Sequence, residues 1–470
     1  MDTPIVDFVR GYAQSGTSRL HMPGHKGRSL LGFEPLDLTE IRGADELYEP
    51  EGIIAQSEAN ATRLFGTQHT YYSTEGSSQC IRAMLCLALQ AAPRTGKRPV
   101  LLAARNAHKA LLYAAALLDF DIRWLWPAAE NAGALCSCPI SAQMLTTALQ
   151  ELIGQGSTPF GVYVTSPDYL GGMQDIRALS AVCDTFGMPL LVDNAHGAYL
   201  RFLPGEPLHP IALGAAMCCD SAHKTLPVVT GGAYLHLGEN APVQEEAAVR
   251  GALALFGSTS PSYLILQSLD ACNRQLTESY PAGLQRCCSR LAALRGELNA
   301  AGCPVPLALD GPGREPLKLT LDAAALGMTG TALADALRGG QLECEYADPR
   351  YVVLMFTPCN PPQDYARLRT VLRQCLHGLP AAGRLLQPEE LAGEFVALAQ
   401  QARAHCTIRQ AVFAPQERIP VQQALGRICA MPTVSCPPAI PIAVSGEEIT
   451  PAALELMQRY GVTEVSVLRR

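Results

Sequence analysis

Four short stretches of this chain hold side chains whose types and spacing can do chemistry. The first is Ser221-Ala222-His223-Lys224-Thr225, which follows a short apolar run and precedes a proline and glycines. Desolvation and positive neighbours at a strand end favour the neutral amine of a lysine, which is then a nucleophile for an aldehyde. The second is Leu190-Leu191-Val192-Asp193-Asn194-Ala195-His196-Gly197, an apolar strand ending on an aspartate. Such an aspartate can hold an aromatic ring nitrogen protonated and so strengthen an electron sink. The third, Ser73-Thr74-Glu75-Gly76-Ser77-Ser78-Gln79, opens a helix with small and hydroxyl residues that can cradle a phosphate. The fourth is Arg105-Asn106-Ala107-His108-Lys109, where His108 can lie on the face of an aromatic ring.

Taken singly, each stretch has a plain alternative: a surface lysine, a turn aspartate, an ordinary helix cap, a core or loop histidine. Their order along the chain gives them force. Three of the four stand at strand ends, and in a parallel sheet those ends converge on one crevice.

The elements that must position them follow from the apolar pattern. Strands are expected at Pro99-Ala103, Ile122-Trp126, Gly161-Thr165, Pro189-Val192, Ala216-Cys219 and Gly232-Leu235. Helices are expected near Ile53-Leu64 and at Ser77-Ala91, Lys109-Leu118, Ala142-Ile153 and Asp175-Thr185. Strands alternating with helices argue for an α/β fold with a mostly parallel sheet covered on both faces. The first 40 or so residues read as irregular, and one long helix is expected from Pro261 towards Ala300. After Gly302 the pattern changes to a smaller α+β domain. It has strands at Pro316-Leu321 and Tyr351-Phe356, helices at Gly330-Arg338 and Gln363-His377, and a hinge near Pro380-Pro388.

Composition narrows the class. The 470 residues are 48% hydrophobic with a net charge of -7, enough for a sizeable core and without the basic bias of a nucleic-acid binder. There are 17 cysteines, an odd number, with two adjacent pairs and no CxxC spacing. The longest apolar run, Ala110 to Leu118, is too short for a membrane span, and the N-terminus has no leader pattern. A reduced, cytoplasmic protein is expected.

The same motifs resemble those of the Orn/Lys/Arg decarboxylase family of fold-type-I pyridoxal-phosphate (PLP) enzymes. The resemblance runs through nearly the whole chain. It includes His21-Met22-Pro23-Gly24-His25-Lys26-Gly27, Asp37-Leu38-Thr39-Glu40, Ala44-Asp45-Glu46-Leu47-Tyr48, Thr165-Ser166-Pro167-Asp168-Tyr169, Ser260-Pro261-Ser262-Tyr263, and the tail from Cys436 to Pro441 with Gly446-Glu447. It implies a PLP-binding, transferase-like large domain with its N-terminal segment over residues 1-300, and a small C-terminal region over 301-470. It implies that Lys224 bonds the cofactor aldehyde, Asp193 pairs with the ring nitrogen and His108 stacks on the ring. Gly76, Ser77, Ser78, Ser221 and His223 would hold the phosphate, with His196 nearby. Thr259 would reach the phosphate of a partner subunit, which implies a homodimer with shared active sites.

The implied reaction is decarboxylation of arginine, lysine or ornithine, a step of polyamine biosynthesis. Lys224, His196 or His223 would return a proton to Cα. Glu345, or the acidic stretch Asp45-Glu49, would meet the substrate's distal cation. Two features depart from the family. Thr230-Gly231-Gly232 stands where a glutamine is common, and the chain begins almost at the core, without the receiver-like domain of the long enzymes. Competing readings are a carbon-carbon lyase or an aminotransferase on the same fold, the latter needing an arginine such as Arg314 or Arg350 to clamp a carboxylate, and a non-catalytic PLP-binding protein. No metal, nucleic acid or membrane is expected as a partner.

Overall fold

The computed structural model describes residues 1-301, 313-378, 388-432 and 440-470. Thirteen strands are described: β1 (His69–Ser73), β2 (Val100–Ala104), β3 (Asp121–Leu125), β4 (Val162–Thr165), β5 (Leu190–Asp193), β6 (Met217–Asp220), β7 (Ala233–Leu237), β8 (Lys318–Asp322), β9 (Tyr346–Ala347), β10 (Tyr351–Met355), β11 (Gln416–Pro420), β12 (Cys429–Met431) and β13 (Glu464–Leu468). The first seven form one sheet in the order β1-β7-β6-β5-β4-β2-β3. β4, β5 and β6 run parallel, as do β2 and β3, while β7 is antiparallel to both β6 and β1. The six strands expected from the sequence are all present, each within a residue or two.

By internal contacts the chain divides into two compact units. One holds Met1–Thr95, Phe160–Ser166 and Ile176–Gln285, and the other the remaining described residues. In the first unit, Leu190, Leu191, Val192, Met217, Cys218 and Cys219 are all at most 1% exposed. Apolar side chains on successive positions of a strand point to opposite faces, so both faces of β5 and β6 are covered. The sequence therefore ends each strand where the apolar run meets a carboxylate, Asp193 and Asp220.

β1 was not expected, because His69-Thr70-Tyr71-Tyr72-Ser73 lacks an aliphatic run. It is seated by a buried ion pair. Glu58 takes the backbone N–H of Tyr72 on one oxygen at 2.8 Å and the Arg250 guanidinium on the other at 2.8 Å, and Arg250 also lies over the Tyr71 ring.

The N-terminal stretch is not wholly irregular. Pro4–Gln14 is a helix with Ile5, Val6 and Val9 buried. Its proline stands in the first turn, where no N–H is missed, and its first free N–H groups donate from Ile5 and Val6 to the Asp270 carboxylate at 2.9 and 3.0 Å. The long helix expected after Pro261 is two helices, Tyr263–Thr277 and Tyr280–Ala300. Pro281 explains the break: it has no N–H to continue the first helix and fits the first turn of the second.

The second unit contains the parallel pair β2-β3 and two three-stranded antiparallel sheets, β8-β10-β9 and β11-β13-β12. Helices Gly330–Gly339 and Pro362–Gly378 lie where the sequence pattern put them. The last sheet was not anticipated; Val465 and Val467 of β13 pack with Leu456, Met457 and Phe395 in a core of their own. The expected hinge, apart from Pro388, and residues 436-439 of the proline cluster lie outside the described residues.

Asp270 gives a pH test. Burial pushes its carboxyl up to about 6 in the fold, above the 3.9 or so of an unfolded aspartate. The fold then binds this proton more tightly than the unfolded chain, so the stability Asp270 contributes falls as pH rises from about 4 to about 6. Denaturant unfolding of Asp270→Asn against the parent should show a larger loss near pH 4 than near pH 7; an equal loss at both would contradict this assignment.

Candidate active site

Asp193 ends β5 and is 2% exposed. Its Oδ2 accepts from the Tyr163 hydroxyl at 3.1 Å, its Oδ1 from the Ala195 N–H at 3.1 Å, and the Cys219 thiol approaches Oδ1 at 3.7 Å. Tyr163 comes from the neighbouring strand β4 and is fully buried. Burial pushes the Asp193 carboxyl above the usual carboxylate range, and the charge of Lys224 opposes that shift. A buried carboxylate whose hydrogen bonds come from neutral donors gains most from a cation placed against it.

Lys224 stands on a single helical turn, Ala222–Thr225, directly after β6. The turn is pinned from outside. His223 N–H donates to Gly232 O at 3.2 Å, and the Tyr280 hydroxyl donates to Thr225 O at 2.8 Å. The Lys224 Nζ lies 3.1 Å from His196 Nε2. Two of the sequence motifs, separated by 28 positions, are therefore brought into direct contact. His223 Nδ1 lies 2.9 Å from Gly232 O, so it carries the proton and donates it; burial lowers the ring's affinity for a second proton.

Gly76 is the N-cap of helix Ser77–Ala91 and makes no side-chain cap. Its φ is +71° and a Cβ there would meet nothing within 4 Å, so open space lies over the helix start. The Ser221 hydroxyl reaches the Ser77 hydroxyl at 2.7 Å, which joins the lysine turn to this helix start. Free N–H groups, the positive end of the helix dipole and two hydroxyls form an arrangement suited to a phosphate. Gly231 sits beneath it and accepts the Gly76 N–H at 2.8 Å. At φ +102°, with Thr74 O only 2.9 Å from where a Cβ would stand, Gly231 admits no side chain. Within the Thr230-Gly231-Gly232 stretch, Gly231 thus has a structural reason to be glycine.

Ser78 is partly exposed on the first turn of the same helix, and Thr259 is exposed on the connection before helix Tyr263–Thr277. His108 and Glu345 belong to the other compact unit. His108 caps helix Lys109–Leu118, its Nδ1 accepting the Ala110 N–H at 3.2 Å. Glu345 is half-buried and accepts the Tyr169 hydroxyl at 2.7 Å. Arg350, one candidate carboxylate clamp, is already engaged by Asp322 at 2.6 Å. Sequence reasoning missed Tyr163, whose only signal is a polar-tipped ring on a buried strand beside an aspartate.

Tyr163→Phe isolates one donor. A hydrogen bond to a charged group contributes about 1.5 kcal/mol or more, which is roughly a tenfold change in an equilibrium constant. Denaturant unfolding of the variant should show a folding equilibrium weakened about tenfold; parent-like stability would mean that Tyr163 does not support Asp193.

The model for "Orn/Lys/Arg decarboxylase, major domain" matches residues 3–303, and that for the C-terminal domain of the same family matches 391–462. An arginine decarboxylase of Bacillus subtilis is 28% identical over 96% of this chain and 91% of its own length. Among solved structures, the constitutive lysine decarboxylase of Escherichia coli superposes with a TM-score of 0.76 at 19% identity, covering 100% of this chain and 82% of that one. The lysine decarboxylase of Francisella novicida gives 0.79 at 16% identity, covering 99% and 81%. With a family model spanning well over half of its length, and a mostly parallel α/β sheet to match, this chain belongs to the Orn/Lys/Arg decarboxylase family.

Proposed function

We propose that the chain binds PLP at Lys224 and decarboxylates a basic amino acid. The observation that carries this reading is the contact of Lys224 with His196, on the turns that follow β6 and β5, where Asp193 is also buried. PLP, when bound, supplies an electron sink for the pair released as the carboxylate leaves. Lys224 would hold the cofactor through its aldehyde and Asp193 would pair with its ring nitrogen. Gly76, Ser77, Ser78, Ser221 and His223 would hold the phosphate, and His108 would stack on the ring.

Lys224 and His196 are better placed than His223 to return the proton to Cα, since His223 spends its one proton on Gly232 O. Glu345, oriented by Tyr169, is the carboxylate we assign to the substrate's distal cation, with Asp45-Glu49 as the other source of negative charge. Four of the near-full-length relatives are named arginine decarboxylase, which makes arginine the first substrate to assay.

The active unit we infer is a homodimer, with Thr259 reaching the partner's phosphate. Support comes from the segment around the HMPGHKG motif, where Leu20, Met22, Leu30 and Leu31 are 93%, 67%, 84% and 79% exposed. Apolar exposure of that extent marks a surface covered by a partner. The described cysteines carry thiols rather than disulfides, which fits a reducing, cytoplasmic setting, and we propose that the amine product serves polyamine biosynthesis.

The test is an assay of the PLP-loaded protein with arginine, lysine and ornithine separately, detecting carbon dioxide and amine. Product from one of the three, abolished in Lys224→Ala, is expected. A keto acid without carbon dioxide would favour the aminotransferase reading instead.

A further inference from the structure

Behind the two turns that carry Asp193, His196 and Lys224 lies a buried polar cluster with no part in the reading above. Asp220 ends β6 and is 0% exposed. Its Oδ2 lies 3.1 Å from His209 Nε2 and 3.1 Å from His236 Nε2, and its Oδ1 accepts from Asn194 Nδ2 at 2.6 Å. A carboxylate oxygen offers only lone pairs, so both rings carry their proton on Nε2. A neutral His236 then has a lone pair on Nδ1, which the Thr70 hydroxyl meets at 2.8 Å. Although burial alone would raise the Asp220 carboxyl, the two histidines hold it well below the usual range. Phe65 and Tyr234 pack on His236 with ring centroids 4.5 and 5.5 Å away, which keeps the cluster dry.

The position of this carboxylate matters more than its charge. Along the chain, Asp220 immediately precedes Ser221 and the lysine turn. Through its side chain it grips Asn194, the residue immediately after Asp193. Asn194 in turn accepts the Gly197 N–H on its backbone carbonyl at 2.8 Å and closes the turn that presents His196. Gly197 must be a glycine for this arrangement, because a Cβ would collide with Asn194 Oδ1.

We propose that Asp220 is a positioning residue that ties the Asp193–His196 turn to the Ser221–Lys224 turn through Asn194, with His209 and His236 fixing its orientation. The tie sets the 3.1 Å approach of Lys224 to His196. This rests on the reading of Lys224 and Asp193 as PLP ligands, but not on which bond of the substrate is broken.

Asn194→Ala cuts the tie while leaving Asp220 and both histidines in place, and Asp220→Ala removes its acceptor from the other side. PLP affinity is read by absorbance titration, covalent capture at Lys224 by borohydride trapping, and folding by thermal unfolding. A displacement of the order of 1 Å in a site of this kind costs up to about a hundredfold. Each variant is expected to bind PLP at least about tenfold more weakly, and the double variant no more weakly than either single one, because both remove the same link. Variants that lose thermal stability but keep parent-like PLP affinity, or whose effects on affinity multiply, would overturn the proposal. So would a stoichiometric zinc ion in the purified protein that disappears in Cys218→Ala. His209, Cys218 and Asp220 place one ligand atom each within 4.8 Å of one another, and such a result would make the cluster a metal centre. Failure of PLP to bind even the parent chain would sink the cofactor reading itself, an outcome distinct from these.

Discussion

A carboxylate at the end of a fully covered strand is expensive unless something meets its charge. Asp193 is in that position, with both faces of β5 closed and its hydrogen bonds drawn from a phenol, an amide and a thiol. The rest of the first unit can be understood as the means of keeping it there. β4 supplies Tyr163, β6 supplies Cys219, and the turn after β5 folds back so that Ala195 N–H meets Oδ1. A carboxyl held in a dry place with neutral donors gains from a cationic ring, and the lysine turn and the open helix start stand on the strands around it.

The same logic appears twice on neighbouring strands. Asp193 and Asp220 occupy the last positions of β5 and β6. On the proposed reading a cofactor completes the first, while the second is completed internally by two histidines and an asparagine. We take the satisfied carboxylate as the fixed point and the other as the working one. That division explains why the fold tolerates two buried acids so close in the sheet, since only one must wait for its partner.

The sheet was legible because parallel strands covered on both faces read as unbroken apolar runs, and the runs of β5 and β6 drew attention because they end on carboxylates. β1 was hidden because its aromatic and polar residues follow no aliphatic pattern and its seat depends on Glu58 and Arg250, far apart in the chain. The N-terminal helix was hidden because its end is capped by Asp270, a tertiary contact with no local signal. The break before Tyr280 was marked by Pro281 and could have been read. Tyr163, His209 and His236 lie on or between strands as isolated polar residues, and only the fold shows that they face Asp193 and Asp220. Family resemblance pointed to the residues expected to touch the cofactor; it did not find those that hold them still.

The central claim is that Lys224 carries the cofactor against Asp193. The most direct test is to load the purified protein with PLP, reduce it with borohydride and locate the added mass by peptide mapping. The account predicts a single pyridoxyl group on Lys224, lost in Lys224→Ala and much reduced in Asp193→Ala. Labelling spread over surface lysines such as Lys26, Lys97 and Lys109, or unchanged in either variant, would contradict it.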